Sequence, residues 1–172
     1  MVTKKITRCA IIVAINIVFS FILKFLPNIK PDTTFVIILA VYYTLSEATA
    51  VITTTVLIRM CLYGGGTFVP FQWLAWFTVA VLAFLLKKIL SKNKILFTIY
   101  AGVSGYIFGF IVSLDTLMLY GVNTFLVYWL NGVLFDTFHL VGNFIFSGIL
   151  LNTVLRAKEV VVIESNLKDR DI

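Results

Sequence analysis

Residues 71–114 read FQWLAWFTVAVLAFLLKKILSKNKILFTIYAGVSGYIFGFIVSL, two long apolar runs joined by a short connector with four lysines. A helix that crosses a bilayer needs roughly 17–25 predominantly apolar residues. The two runs therefore predict transmembrane helices over about Phe71–Ile89 and Ile95–Leu114. Basic connectors lie on the cytoplasmic side of a membrane, so the lysine-rich connector is predicted to be inside.

The composition of the whole chain agrees with this interpretation. Of the 172 residues, 60% are hydrophobic and 13% are charged, whereas about a quarter of the residues in an ordinary soluble domain are charged. We therefore predict a single transmembrane domain over residues 1–172, with a short polar tail at about 158–172. The net charge of +6 comes from clusters between apolar runs, so membrane topology explains it and no nucleic-acid partner is expected.

The first predicted helix covers Cys9–Leu26. It follows the basic residues Lys4, Lys5 and Arg8 and ends at Pro27, because proline terminates helices. The apolar run is too long for the central region of a signal peptide, and no small-residue cleavage site follows it. We predict a retained helix whose amino end is cytoplasmic.

The region Thr33–Tyr63 is long enough for one tilted helix or two short ones. A single crossing would place the lysine connector outside, against the positive-inside rule. Two crossings that turn near Ser46–Glu47 keep the connector inside, and we predict this arrangement. The triple glycine at residues 64–66 is then a loop on the outer side, because glycine is a poor helix former.

The carboxyl part is predicted to contain an outer loop over Asp115–Asn131, with room for a short re-entrant or interfacial piece, and a sixth helix that ends at Arg156. With this arrangement, eleven Lys and Arg residues lie inside and three, at positions 24, 30 and 59, lie outside. The asymmetry favours an all-α bundle of six transmembrane helices with both termini cytoplasmic. A seven-helix alternative, in which Thr116–Leu155 makes two crossings, would put the tail outside.

Three polar residues share one face of the sixth predicted helix. Asp136, His139 and Asn143 stand at i, i+3 and i+7 in an otherwise apolar segment. Polar groups at membrane depth are costly and usually face a cavity or a partner. One interpretation is a ligand pocket reached from outside, and the other is an interhelical hydrogen-bond cluster that holds the fold together.

The start of the fourth predicted helix combines aromatic rings with one amide, in Phe68, Gln72, Trp73 and Trp76. Small-molecule sites are mostly apolar with a few placed polar groups, so this mixture suits a planar, partly polar ligand. An aromatic belt at the membrane interface uses the same rings. Gln72 distinguishes the two interpretations, since a belt does not require an amide.

No catalytic arrangement is present in the sequence. The triple glycine lacks the Gly-Lys-Ser/Thr ending of a phosphate-binding loop, and His139 alone does not form a histidine-rich metal site. Cys9 and Cys61 form no metal or redox pattern, and no disulfide is expected between them. We predict a protein that is not an enzyme and that carries no metal and no bound cofactor.

Taken together, these features resemble the S components of energy-coupling factor (ECF) transporters, a family of ABC importers. The resemblance rests on chain length, six predicted helices, a basic amino terminus and the pair Ala10 and Ala14, four residues apart in helix one. Two further stretches, PFQWLAW at residues 70–76 and FDTFHLVGN at residues 135–143, resemble the cobalamin-specific branch. Small residues four apart also pack helices internally.

The resemblance implies a bacterial plasma-membrane protein that binds a vitamin outside and delivers it inside. It implies as partners a transmembrane coupling subunit, which would dock on Ala10 and Ala14, and two ABC ATPase subunits that hydrolyse ATP. Cobalamin or a related corrinoid is the leading ligand, with riboflavin, pantothenate or another vitamin as alternatives. A self-sufficient membrane carrier or channel is the competing class.

Overall fold

The computed structural model describes the backbone of residues 2–168 and the side chains of residues 2–157. Within the backbone so described, the chain is helical and contains no strand, which confirms the all-α prediction. In this described part of the chain, four helices are suited by length and composition to cross a membrane, the last of them over Lys94–Ala157. The helices are α1 (Val2–Ile22), α2 (Asp32–Tyr42), α3 (Leu45–Tyr63), α4 (Phe68–Leu85), α5 (Lys87–Leu90) and α6 (Lys94–Lys168).

The predicted split of the region after Thr33 is confirmed, although the turn comes a few residues earlier than expected. Helix α2 ends at Tyr42 and α3 begins at Leu45. Thr44 has an extended backbone, and its hydroxyl accepts a hydrogen bond from the backbone N–H of Glu47 at 3.2 Å. This cap satisfies a donor that would be unpaired at the start of α3.

Helix α2 is too short to cross a bilayer by itself. Its 11 residues span about 16 Å at 1.5 Å per residue, whereas the hydrocarbon core of a bilayer is about 30 Å thick. Ten of these residues, from Asp32 to Val41, are buried. The preceding segment, residues 23–31, contacts α6: Asn28 donates to the carbonyl of Phe135 at 3.3 Å. We call this segment the entry loop.

The predicted outer loop over Asp115–Asn131 is wrong. These residues are helical except at Gly121, where φ is 82° and ψ is 176°, a conformation that glycine adopts without steric cost. The break divides α6 into a first limb (residues 94–120) and a second limb (residues 122–168). Apolar residues that suit a helix flank Gly121 on both sides, so one glycine replaces a long loop.

The second limb also departs from two expectations. It has no second break between residues 122 and 155, so the structure lacks the split that the seven-helix alternative requires. The helix runs past Arg156, the predicted end, to Lys168. Residues 169–172, the end of the predicted polar tail, lie outside the described part of the chain.

The two limbs are antiparallel and pack through glycines. A Cβ atom on Gly105 would lie 2.9 Å from the backbone nitrogen of Leu140, and one on Gly109 would overlap the Asp136 carboxylate. Beside these glycines, the Tyr106 hydroxyl lies 2.9 Å from the Thr137 hydroxyl. The absence of side chains lets the limbs approach closely, which brings Asp136 and His139 into the bundle.

Contacts between helices define two ends of the bundle. At one end, which we call the basic end, Arg8 pairs with Glu47 at 2.7 Å and Lys94 donates to Asn152 at 3.0 Å. The predicted lysine connector, residues 87–94, lies at this end. At the other end, the loop end, Thr67 donates to Asp115 at 3.2 Å, and the entry loop and the triple glycine lie there.

Candidate functional site

The second limb of α6 turns one polar face into the bundle. Asp136, His139 and Asn143 are all buried, with exposed fractions of 5%, 4% and 0%. The structure thus places the three predicted residues on a single inward face, as their spacing requires. Their surroundings nevertheless differ, because each lies at a different depth along the limb.

A hydrogen-bonded chain links three helices around His139. The indole N–H of Trp76 donates to the Thr33 hydroxyl at 3.0 Å, and the same oxygen lies 2.8 Å from His139 Nε2. The arrangement that uses the hydroxyl proton makes Nε2 the acceptor and leaves Nδ1 as an N–H. Phe108 packs against both rings, with centroids 5.1 Å from Trp76 and 5.0 Å from His139.

An ion pair lies beside this chain at the start of α2. Arg59 approaches Asp32 at 2.8 Å, and both side chains are largely buried, with 11% and 6% exposed. Arg59 also donates to the backbone carbonyl of Asn16 at 3.2 Å, and its guanidinium lies 5.7 Å from the Trp76 ring centre. Charges inside a membrane bundle are rare and typically mark a functional site.

Several buried polar atoms lie around the hydrogen-bonded chain of Trp76, Thr33 and His139 and around the ion pair. They make no hydrogen bond with any described residue. They are both amide atoms of Asn143, Nδ1 of His139, Nε of Arg59, Oδ1 of Asn16 and the hydroxyl oxygens of Thr34 and Thr55. An unpaired buried polar group costs about 1–3 kcal/mol. Buried polar atoms of this kind are typically satisfied by ordered water or by a ligand.

Two cavities open toward the loop end on either side of the entry loop. The first, the hairpin cavity, measures about 380 Å³ and lies against both limbs of α6. Asp136 lines it together with Asn28, Ser113, Tyr128 and Asn131. The second, the loop crevice, measures about 180 Å³ and is lined by Lys30, Val56, Arg59, Met60, Tyr63, Gly64, Phe68, Val69 and Gln72.

The predicted residues of α4 separate between these environments. Trp76 belongs to the buried hydrogen-bonded chain, while Phe68 and Gln72 line the loop crevice. Trp73 joins neither: its indole N–H donates to Thr53 at 2.9 Å and its ring stacks on Phe77 at 4.9 Å. The aromatic residues of α4 thus divide between two faces of the helix.

Four residues of this region were not identified from the sequence as site residues, namely Lys30, Asp32, Thr33 and Arg59. Arg59 gave the clearest signal, because it is an isolated cation in an apolar helix. Thr33 gave none, since a threonine at the start of a helix is ordinary. Among the residues whose side chains are described, no group of three or more His, Cys, Asp or Glu could hold a metal ion.

A third cavity lies at the side of the bundle between α1 and α3. It measures about 870 Å³. Ala10 and Ala14 line it from α1, and Ser46, Ala50 and Thr54 line it from α3. Both alanines are exposed, so they do not mediate packing between the described helices. We call this surface the alanine groove.

Cys9 also lines this groove, and Cys61 is exposed; both are free thiols.

No family model, no curated protein and no solved structure matches this chain.

Proposed function

We propose that this chain is the substrate-binding S component of an ECF-type importer. It takes up a vitamin at the loop end and releases it at the basic end, with a corrinoid such as cobalamin as the leading ligand. The observation that carries the proposal is the set of unpartnered buried polar atoms around Trp76, Thr33 and His139, next to two cavities that open at one end.

The hairpin cavity supports a small-molecule ligand, although a whole corrinoid exceeds its volume and would extend beyond it. Its volume of about 380 Å³ falls within the usual range of about 300–1,000 Å³ for ligand pockets. Aromatic and aliphatic walls with a few polar groups, among them Asp136 and Asn131, provide the mixture typical of such pockets. His139 does not line this cavity but lies behind Phe108, which does, and we propose that it acts toward the ligand as a hydrogen-bonding residue and not as a metal ligand.

The distribution of charge supports the direction of transport. The basic end carries the lysine connector and is assigned to the cytoplasm by the positive-inside rule. From Lys94 at that end to Asp115 at the loop end, the first limb rises about 31 Å, close to the thickness of the hydrocarbon core. The loop end would then face the outside of a bacterial plasma membrane.

Labelling of single cysteines tests this orientation, in a background where Cys9 and Cys61 are replaced by alanine. A cysteine at Lys92 is expected to react with an impermeant maleimide only from the cytoplasmic side, and a cysteine at Gly65 only from outside. Equal reactivity of both positions from one side would contradict the assignment.

The alanine groove supports a helical partner. Exposed small residues on α1 and α3 leave a groove that a transmembrane helix can enter closely. In the proposed complex, the coupling subunit docks here and connects this chain to two ATPase subunits. The chain itself has no phosphate-binding motif in its sequence, and energy for transport would come from those partners.

Replacing Ala10 or Ala14 by tryptophan tests docking. A bulky ring in the groove should cost about 1–3 kcal/mol of association free energy, which is about fivefold to a hundredfold in affinity. Affinity purification from native membranes should then recover far less ATPase protein, whereas the absorption spectrum of bound corrinoid persists.

Ile11→Trp is the matched control for this experiment, because Ile11 is an exposed residue of the same helix that does not line the groove. If no ATPase subunits copurify even with the unmodified chain, the S-component proposal fails. If Ala10→Trp abolishes corrinoid binding as well, the groove belongs to the ligand site.

One observation favours a different class, a secondary carrier. Such carriers have helices interrupted near the middle of the membrane, and α2 is a half-length helix that begins beside a buried ion pair. Uptake of cyanocobalamin or riboflavin by proteoliposomes that contain this chain alone would identify a carrier. An S component gives no concentrative uptake without its ATPase partners.

A further inference from the structure

The loop crevice carries a positive charge that the surrounding protein does not neutralise. Lys30 and Arg59 both line it, whereas Asp32, the partner of Arg59, does not. Among the described side chains, Lys30 makes no hydrogen bond and no ion pair. Neither of the two other acids toward the loop end lines the crevice, since Asp115 accepts a hydrogen bond from Thr67 and Asp136 lines the hairpin cavity.

The position of Lys30 is unfavourable for an isolated cation. Partial burial and the neighbouring Arg59 both lower the pKa of the Lys30 ammonium, and the carboxylate of Asp32 only partly opposes them. Arg59 in turn keeps a buried Nε without a partner among the described residues. The charge of Arg59 is already paired with Asp32, so an anion in the crevice would chiefly satisfy Lys30, with Arg59 as a second cation in the wall, because charge-assisted hydrogen bonds to Lys and Arg are strong.

We propose that the loop crevice is a subsite for an acidic group, a carboxylate or a phosphate, with Lys30 and Arg59 as its cationic contacts. Gln72 adds an amide donor to the lining. The volume of about 180 Å³ is below that of a pocket for a whole ligand, so the crevice holds one group of a larger molecule. The subsite itself does not depend on the proposed function. Only the identification of the larger molecule as a vitamin rests on it.

Titration with inorganic phosphate and with acetate tests the subsite without a vitamin or a partner. The purified chain is placed in nanodiscs of zwitterionic phosphatidylcholine, and tryptophan fluorescence is followed, because Arg59 lies 5.7 Å from the Trp76 ring centre. We expect a saturable change that Trp76→Phe removes. Lys30→Gln should weaken the apparent affinity by about tenfold or more.

Lys24→Gln is the matched control, since Lys24 is an exposed cation of the same entry loop and does not line the crevice. Its titration should coincide with that of the unmodified chain. The subsite is refuted if phosphate and acetate give no saturable change, or if Lys24→Gln and Lys30→Gln weaken binding equally. These results are independent of whether ATPase subunits copurify, so the two proposals fail separately.

An acidic group can come from a water-soluble ligand or from the headgroup of an anionic lipid. Repeating the titration in nanodiscs that contain phosphatidylglycerol separates these sources. If the lipid headgroup occupies the crevice, added phosphate competes poorly with it in the unmodified chain. The apparent phosphate affinity of Lys30→Gln then no longer differs from that of the unmodified chain. If phosphate binding and its dependence on Lys30 persist, the acidic group belongs to a soluble ligand.

Discussion

Replacing Arg59 by methionine is expected to lower the free energy of unfolding by about 3–5 kcal/mol, because Asp32 would remain as a buried carboxylate without its partner. Methionine keeps much of the apolar volume of the arginine side chain, so loss of the charge dominates the change. The loss is measured from unfolding in detergent, followed by circular dichroism and by the fluorescence of the buried Trp76.

The double variant Asp32→Asn with Arg59→Met provides the decisive comparison. It removes both charges, and replacing a buried ion pair by neutral groups is often nearly neutral for stability. We therefore expect the double variant to recover most of the stability lost in Arg59→Met. Lys24→Met controls for the loss of an exposed charge at the same end of the bundle. Equal stability of Arg59→Met and the double variant would show that Asp32 and Arg59 are not energetically coupled.

Replacing Gly105 by valine is the second change with a large expected effect. A Cβ at this position would lie 2.9 Å from the backbone nitrogen of Leu140 and 3.2 Å from the carbonyl carbon of His139. Backbone atoms do not rotate aside as side chains do, so the two limbs of α6 must separate. Overpacking of this kind costs about 1–3 kcal/mol and sometimes more.

Gly148→Val is the matched control for Gly105→Val. Gly148 also lies in α6, but a Cβ there would meet no atom within 4 Å. Its effect on the free energy of unfolding should stay within about 0.5 kcal/mol. Because Gly105 faces the backbone of His139, separation of the limbs should also lengthen the contact between Thr33 and His139 and so weaken ligand binding. An unchanged free energy of unfolding in Gly105→Val would contradict this packing.

The helices themselves were predictable because their signals are local. Apolar runs between charged or glycine-rich connectors predicted the helices, and charge parity predicted the reversal between α2 and α3. The prediction failed over residues 115–131, which contain one charge, two asparagines and one glycine. A single positive-φ glycine was sufficient for the reversal, and the sequence does not distinguish such a glycine from one inside a helix.

The candidate site was predictable to a smaller extent. The spacing of Asp136, His139 and Asn143 fixes their common face, because helical periodicity alone determines which residues share a face. The partners of that face were not predictable. Thr33 is 106 residues from His139 in the chain, and no local pattern links them.

The sequence by itself determined that this protein is a helical, strongly apolar chain with its basic residues gathered between helices and one polar face near the carboxyl end. Only the tertiary structure decided that α2 is too short to cross a bilayer and that Lys30 and Arg59 line a common crevice. It also decided that Trp76, Thr33 and His139 form a hydrogen-bonded chain. The physical reason is that propensity and periodicity act within a few residues. The contacts of the site depend instead on how closely helices pack, which glycines such as Gly105 set at positions far apart in the sequence.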